Sequence, residues 1–396
     1  MKRIALLVLT LSILGASCTS KKSGINGTFI GLTNDTLWIM VNVLNDEFRF
    51  ERKAMDTIVV RNGEFFYDPQ TNNLTELKIY PLENIERYPN SPVMAFGGPG
   101  ESLSLLYSPG DRIQMDAVIK EKIVAFQASG NRYNEQLSTL HANAQNAFKQ
   151  RSEALKIIRD NSYDGDKTVY REQLQEAVQI VNNNELNYIR ENPDEPLSAY
   201  FVASFREEAK VFQYMDSLGN RAKESIMGQL LEGRIKGIHA SNVLREENAR
   251  KEKAQKEIIG QSAPDFTLKD ADGNDFSLSS LRGKYVVLDF WGSWCGWCLD
   301  AIPRIKEYYA AHPNEFEIVG IAFSDKPDNW CAAVEKHALS WINLIDTEND
   351  SVSKSYYVVA APTYVLIDKG GTIVGFPSYD SDAMEKIDEL RRLKLL

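Results

Sequence analysis

Residues 284–303, Lys-Tyr-Val-Val-Leu-Asp-Phe-Trp-Gly-Ser-Trp-Cys-Gly-Trp-Cys-Leu-Asp-Ala-Ile-Pro, constrain the fold more tightly than any other stretch of the chain. Tyr285 to Trp291 is a short, β-prone apolar run bounded by turn residues, the pattern of a buried strand. From Trp297 to Ala311 the apolar spacing becomes helical, so Cys295 and Cys298 stand where a strand hands over to a helix N-terminus. Unpaired backbone N–H groups and the helix dipole at such a junction favour a thiolate over a thiol. Three residues apart on a first helical turn, the two sulfurs come close enough to bridge. Thiol–disulfide exchange needs an accessible low-pKa thiolate to attack and a second thiol to resolve the mixed disulfide. Cys295, at the helix tip, is placed to attack, and Cys298, one turn deeper, to resolve. The competing use of a Cys-x-x-Cys pair is half of a zinc site. No second pair completes four ligands, and His141, His239, His312 and His337 are scattered, so neither a metal nor a cofactor is expected.

The Phe-Trp-x-x-Trp-Cys-x-x-Cys block, Pro303 five residues after the second cysteine, and Ala361-Pro362-Thr363 together resemble the active site of thioredoxin-fold proteins. More narrowly, they resemble the TlpA/ResA-like thiol-disulfide oxidoreductases. The similarity takes in the lead-in Ala263-Pro-Asp-Phe-Thr-Leu268 and Leu281-Arg-Gly-Lys284, and spans residues 260–396. It implies an exchange enzyme acting on protein disulfides, reducing them in the cell envelope with electrons from a membrane thiol carrier, in the setting of cytochrome c biogenesis. Asp289 matches the buried aspartate of thioredoxin, which implies a general acid/base for the resolving cysteine. Pro362 matches the cis-proline that faces the cysteines, and the Ala361 backbone is implied to pair with an extended substrate segment. Trp294 is expected at the active-site rim and Trp291 in packing.

Several residues depart from the family pattern. Gly296-Trp297 lies between the cysteines where many relatives have proline in the second place. Leu299 replaces a frequent basic residue, and Ala301 a frequent glutamate, with Asp300 one place earlier. Reduction potentials in this fold run from about −270 mV to about −120 mV, so a disulfide-donating oxidase is the alternative direction. A peroxiredoxin shares the fold, but its Pro-x-x-x-Thr pattern before the reactive cysteine is absent. A non-enzymatic alternative is an envelope lipoprotein whose residues 25–259 bind a ligand while the dithiol senses redox state.

The residues themselves bear on Asp289 and Cys331. A carboxylate between Leu288 and Phe290 is not simply solvated, and burial would raise its pKa, unless it is hydrogen-bonded at a strand edge. Cys331, beside Trp330, Ala332, Ala333 and Val334, reads as a small buried hydrophobe.

The N-terminus carries Lys2 and Arg3, an apolar stretch from Ile4 to Leu14, and Gly15-Ala-Ser-Cys18. This is a secretory signal whose apolar core is too short to span a bilayer. It resembles a bacterial lipoprotein signal, in which Cys18 is acylated and residues 1–17 are removed. The usual leucine three before the cysteine is here Gly15, with Leu14 four before; an ordinary signal peptide is the alternative. A formal charge of −10 argues against nucleic acid as a partner.

Residues 19–24 read as a tether. Residues 25–128 read as an all-β domain, a sandwich or barrel, with strands at Leu37–Val41, Thr57–Val60 and Glu64–Tyr67 broken by Thr33-Asn-Asp, Arg61-Asn-Gly and Ser108-Pro-Gly-Asp. This stretch resembles the β-rich domain of unknown function often found ahead of TlpA-like domains. Phe96-Gly-Gly-Pro-Gly100 lacks a following Gly-Lys-Ser/Thr and reads as a loop. Residues 129–259 shift to Ala, Glu, Gln, Lys, Arg and Leu. They read as a helical region with breaks near 163–166, 192–196 and 218–220, Tyr200, Phe201, Phe205, Phe212 and Tyr214 in its core, and a solvated helix at Arg245–Glu257. Residues 260–396 are expected as a thioredoxin-like α/β domain in the order β-α-β-α-β-β-α after an opening hairpin at Asp270–Gly273. The order ends with an amphipathic helix at Asp382–Leu395.

Overall fold

A computed structural model describes residues 23–87, 94–95, 100–312 and 315–376. Cys18 and the signal stretch, residues 96–99 of the expected loop, and the helix expected at Asp382–Leu395 lie outside them. The chain divides into two compact units, Met1–His239 and Ala240–Leu396.

The first unit begins with ten strands. They are β1 (Gly24–Ile30), β2 (Thr36–Leu44), β3 (Phe50–Val59), β4 (Glu64–Tyr67), β5 (Thr75–Pro81), β6 (Glu86–Arg87), β7 (Met94–Ala95), β8 (Leu103–Tyr107), β9 (Arg112–Lys120) and β10 (Ile123–Ser129). Two four-stranded sheets, β10-β9-β1-β4 and β3-β2-β5-β8, enclose one core, with β6 and β7 forming a small ribbon. This is the sandwich of the two expected alternatives. Strict alternation makes it possible: on β9, Ile113, Met115, Ala117 and Ile119 point inward while their neighbours face solvent. Leu37, Ile39 and Val41 of β2 supply the opposite inner face.

Helices α1 (Arg132–Asn143), α2 (Gln145–Arg159), α3 (Thr168–Glu191), α4 (Pro196–Ser204), α5 (Glu208–Met215), α6 (Asn220–Glu224) and α7 (Ile226–Ile258) follow, broken where the turn residues stand. Their core, with Tyr200 and Phe201 buried and Phe205, Phe212 and Tyr214 packed against it, also takes in Leu44, Leu74 and Leu106. Glu76 of β5 is buried at this layer, where it accepts hydrogen bonds from Tyr200 Oη at 2.7 Å and Asn42 Nδ2 at 2.8 Å.

The second unit holds β11 (Thr267–Asp270), β12 (Asp275–Ser277), β13 (Tyr285–Trp291), α8 (Gly296–Ala311), β14 (Phe316–Phe323), α9 (Pro327–His337), β15 (Ile342–Asp346), α10 (Ser351–Ser355), β16 (Thr363–Ile367) and β17 (Ile373–Gly375). They form a seven-stranded mixed sheet in the order β12-β11-β15-β14-β13-β16-β17. β13, β14 and β15 run parallel through crossover helices, and β16 returns antiparallel against β13. This is the thioredoxin-like fold, preceded by the all-β and helical regions.

Two expectations need correction. The expected order omits β15 and α10. Polar residues at 343 and 346 interrupt the apolar run Ile342-Asn-Leu-Ile-Asp, yet both are buried and bonded inside the unit. Asn343 Nδ2 donates to Trp341 O at 2.6 Å, and Asp346 Oδ2 accepts the N–H groups of Val352 and Ser353 at 2.8 and 3.1 Å. Cys331 is exposed rather than buried. Helix α9 turns Trp330 into the core, and the next residue along a helix lies about 100° away, here on the solvent side.

Candidate active site

The dithiol sits where strand β13 meets helix α8. Cys295 is the N-cap residue of α8 in an extended conformation, and Cys298 lies in its first turn. A disulfide joins them across a Cα–Cα distance of 5.3 Å. The Cys298 backbone N–H, one of the donors that a helix start leaves unpaired, points at Cys295 Sγ at 3.1 Å. That contact and the positive end of the helix dipole favour negative charge on Cys295 once the bond is reduced. Exposure does not separate the two cysteines, since each is 4% exposed in the disulfide form. They share a cluster with Trp291, Ala322, Trp330 and Ile345.

The loop ahead of Cys295 is tied down at two points. Ser293 donates its N–H to Asp325 Oδ2 at 2.5 Å and its hydroxyl to Asp325 Oδ1 at 2.9 Å, fixing the loop to the segment between β14 and α9. Gly292 leaves room for the Trp294 indole, because a Cβ there would lie 2.5 Å from Trp294 Nε1. Trp294 stacks edge-on to Phe323 and is 54% exposed, and Trp297 is 70% exposed, so two aromatic faces flank the cysteines. Asp325 carried no sequence signal: it stands 30 residues from Cys295 in an acidic, turn-rich stretch that reads as solvated.

Asp289 lies mid-strand on β13, on the same face as Val287 and Trp291, which pack with residues of α8. It is buried, not at a solvated edge, and its Oδ1 has no hydrogen-bond partner among the described residues. Burial alone pushes its carboxyl up to about 7, with no neighbouring charge contributing. The Ala361–Pro362 peptide bond is cis and stands just ahead of β16, the strand that pairs with β13. Pro362 is buried, and Ala361 packs against the cluster that holds both cysteines. The geometry therefore gathers Cys295, Cys298, Trp294 and Ala361 at one end of the sheet, with Asp289 further down β13. Among the described residues, no group of histidine, cysteine or acidic side chains could hold a metal ion.

A dithiol at this strand–helix junction, beside a mixed sheet and a cis-proline, defines a thioredoxin-like domain. A family model described as the AhpC/TSA family matches residues 259–376. The thiol-disulfide oxidoreductase ResA of Geobacillus thermodenitrificans is 35% identical over 116 residues, covering 29% of this chain and 66% of that protein, just under two thirds of its length. ResA of Bacillus anthracis is 34% identical over 127 residues, covering 32% of this chain and 71% of that one. The solved thioredoxin domain of a thiol-disulfide oxidoreductase from Bacteroides vulgatus is 30% identical, with a TM-score of 0.32, covering 33% of this chain and 96% of that one. Through its C-terminal third, the chain belongs to the ResA family of thiol-disulfide oxidoreductases.

Proposed function

We propose that the chain is a cell-envelope enzyme that reduces protein disulfides through Cys295 and Cys298. The observation that carries this reading is the 3.1 Å contact of the Cys298 N–H with Cys295 Sγ at the head of α8, a place built for a thiolate. In the reduced state the Cys295 thiolate attacks one sulfur of a substrate disulfide. A mixed disulfide forms, and the other substrate sulfur leaves as a thiolate that takes up a proton. Asp289, as a carboxylate, accepts the proton of the Cys298 thiol. Cys298 then attacks Cys295 Sγ, the mixed disulfide breaks, and the second substrate sulfur leaves as a thiolate that takes up a proton, while Asp289 gives up the proton it held and returns to the carboxylate. The substrate has gained two electrons and two protons, and the enzyme holds the Cys295–Cys298 disulfide.

Trp294 offers an apolar face to the segment around the substrate disulfide, and the backbone at Ala361, held by Pro362, pairs with that segment in extended form. A membrane thiol carrier returns two electrons by the same exchange chemistry run against the oxidised pair. Acylation at Cys18 would hold the protein at the membrane. Among the described residues no helix is long and apolar enough to cross one.

Insulin-type disulfide reduction tests the reading. Cys295→Ser should abolish turnover, whereas Cys298→Ser should accumulate a mixed disulfide that is released by dithiothreitol. Undiminished turnover by Cys295→Ser would sink the proposal.

A further inference from the structure

Five buried side-chain polar atoms of the second unit have no hydrogen-bond partner among the described residues; one, Trp330 Nε1, is on helix α9, and the other four fall on one stretch of sheet. The four are Asp289 Oδ1 and Trp291 Nε1 on β13, Trp341 Nε1 just ahead of β15, and Asn343 Oδ1 on β15. All four residues are at most 8% exposed. Buried donors and acceptors left unpaired are costly, so a native fold rarely keeps several together. Gly320 of β14 is the residue between them. A methyl group on it would stand 3.2 Å from each indole nitrogen and 3.1 Å from Asn343 Oδ1. Strand register places Asp289 on one side of Gly320 and Asn343 on the other. Paired residues on adjacent strands, about 4.8 Å apart, direct side chains to the same face. The Asn343 amide is oriented by its Nδ2 bond to Trp341 O, which leaves Oδ1 for this space.

The set comprises two N–H donors and two oxygen acceptors. A single water offers two lone pairs and two hydrogens. We propose that the absent side chain of Gly320 opens a site for one buried water, which accepts from Trp291 and Trp341 and donates to Asn343 Oδ1 and Asp289 Oδ1. Gly320, Trp341 and Asn343 are then positioning residues that act on Asp289 through that water. A hydrogen bond to the carboxylate favours its charged form and opposes the effect of burial. Around Asp289, β16 places Tyr364 beside it in register, α8 carries the cysteine pair at its N-terminus, and α9 contributes Trp330 to the same layer. No charged group among them contributes to its raised pKa. The water site stands independently of the enzyme reading; only its value for taking the Cys298 proton rests on Asp289 as the base.

The test uses the full chain in its oxidised state. A high-resolution crystal structure should show one water within hydrogen-bond distance of all four atoms, and a dry space would overturn the proposal. The Asp289 carboxyl is then titrated by carbon NMR. Gly320→Ala, which fills the site, should move the midpoint up by about one pH unit. Gly320→Ser, which returns a hydroxyl, should bring it back toward the wild-type value. An unmoved midpoint in Gly320→Ala, or equal shifts in the two variants, would refute the site. If neither variant folds, the wild-type crystal structure decides alone. Wild-type turnover of insulin distinguishes the two readings: its absence, with the water and the shift present, defeats the enzyme and leaves the water site.

Discussion

Asp289 is the buried titratable side chain behind the dithiol. Burial disfavours its charge and pushes its carboxyl up to about 7 in the folded state, above the ordinary aspartate range. Between about pH 4 and 7 the folded chain keeps a proton that the unfolded chain has lost, so stability falls as pH rises through that window and levels off above it. The penalty at pH 8 is on the order of 4 kcal/mol. Asp289→Asn should therefore melt higher than wild type at pH 8 and at nearly the same temperature at pH 4, as read by calorimetry; equal differences at both pH values would contradict the burial account. The same variant should lose insulin-reduction rate about tenfold or more, together with the pH dependence near 7. At this scale the sequence was informative wherever chemistry and neighbours coincide. Cys295, Cys298 and the buried Asp289 follow from an apolar strand feeding a helix, and the cis bond at Pro362 from resemblance. Cys331 did not, because its neighbours are apolar and only the helical phase decides which of them faces inward.

The elements around the site hold it through side chains that sequence pattern does not flag. Strand β13, helix α8 and strand β14 are legible as runs of apolar spacing. β15 is not, since its Asn343 and Asp346 are polar, and their burial is matched by bonds to the Trp341 carbonyl just ahead of the strand and to N–H groups of α10. Asp325 is the clearest case. Its two bonds to Ser293 anchor the loop that presents Cys295, although nothing in the local sequence separates it from a solvated turn. Asp325→Ala should cost about 1–3 kcal/mol in stability and slow mixed-disulfide formation, because the loop loses both acceptors. Asp325→Asn, which can keep one acceptor, should fall between. Urea unfolding and stopped-flow thiol exchange would read the two effects, and a wild-type exchange rate in Asp325→Ala would show that the loop is held by other contacts.

Each unit of the whole molecule has its own core, and the dithiol lies in the second. Tyr200→Phe removes the buried donor to Glu76 and should lower the stability of the first unit by about 1–3 kcal/mol. Insulin reduction at 25 °C should be unchanged, and a parallel loss of activity would show that the first unit takes part in exchange. The sandwich and helical regions were legible as alternation and composition, but their purpose was not, since no catalytic sequence motif marks them. Cys18→Ala should move the protein from the membrane fraction to the soluble envelope fraction, and membrane retention would exclude the lipid. The central claim is that Cys295 and Cys298 deliver electrons to protein disulfides. Equilibrating the chain in dithiothreitol buffers of graded composition and measuring the fraction of reduced pair gives its reduction potential. A value near thioredoxin's about −270 mV is the result expected of a reductase, whereas one near about −120 mV would contradict that direction and make the protein a disulfide donor.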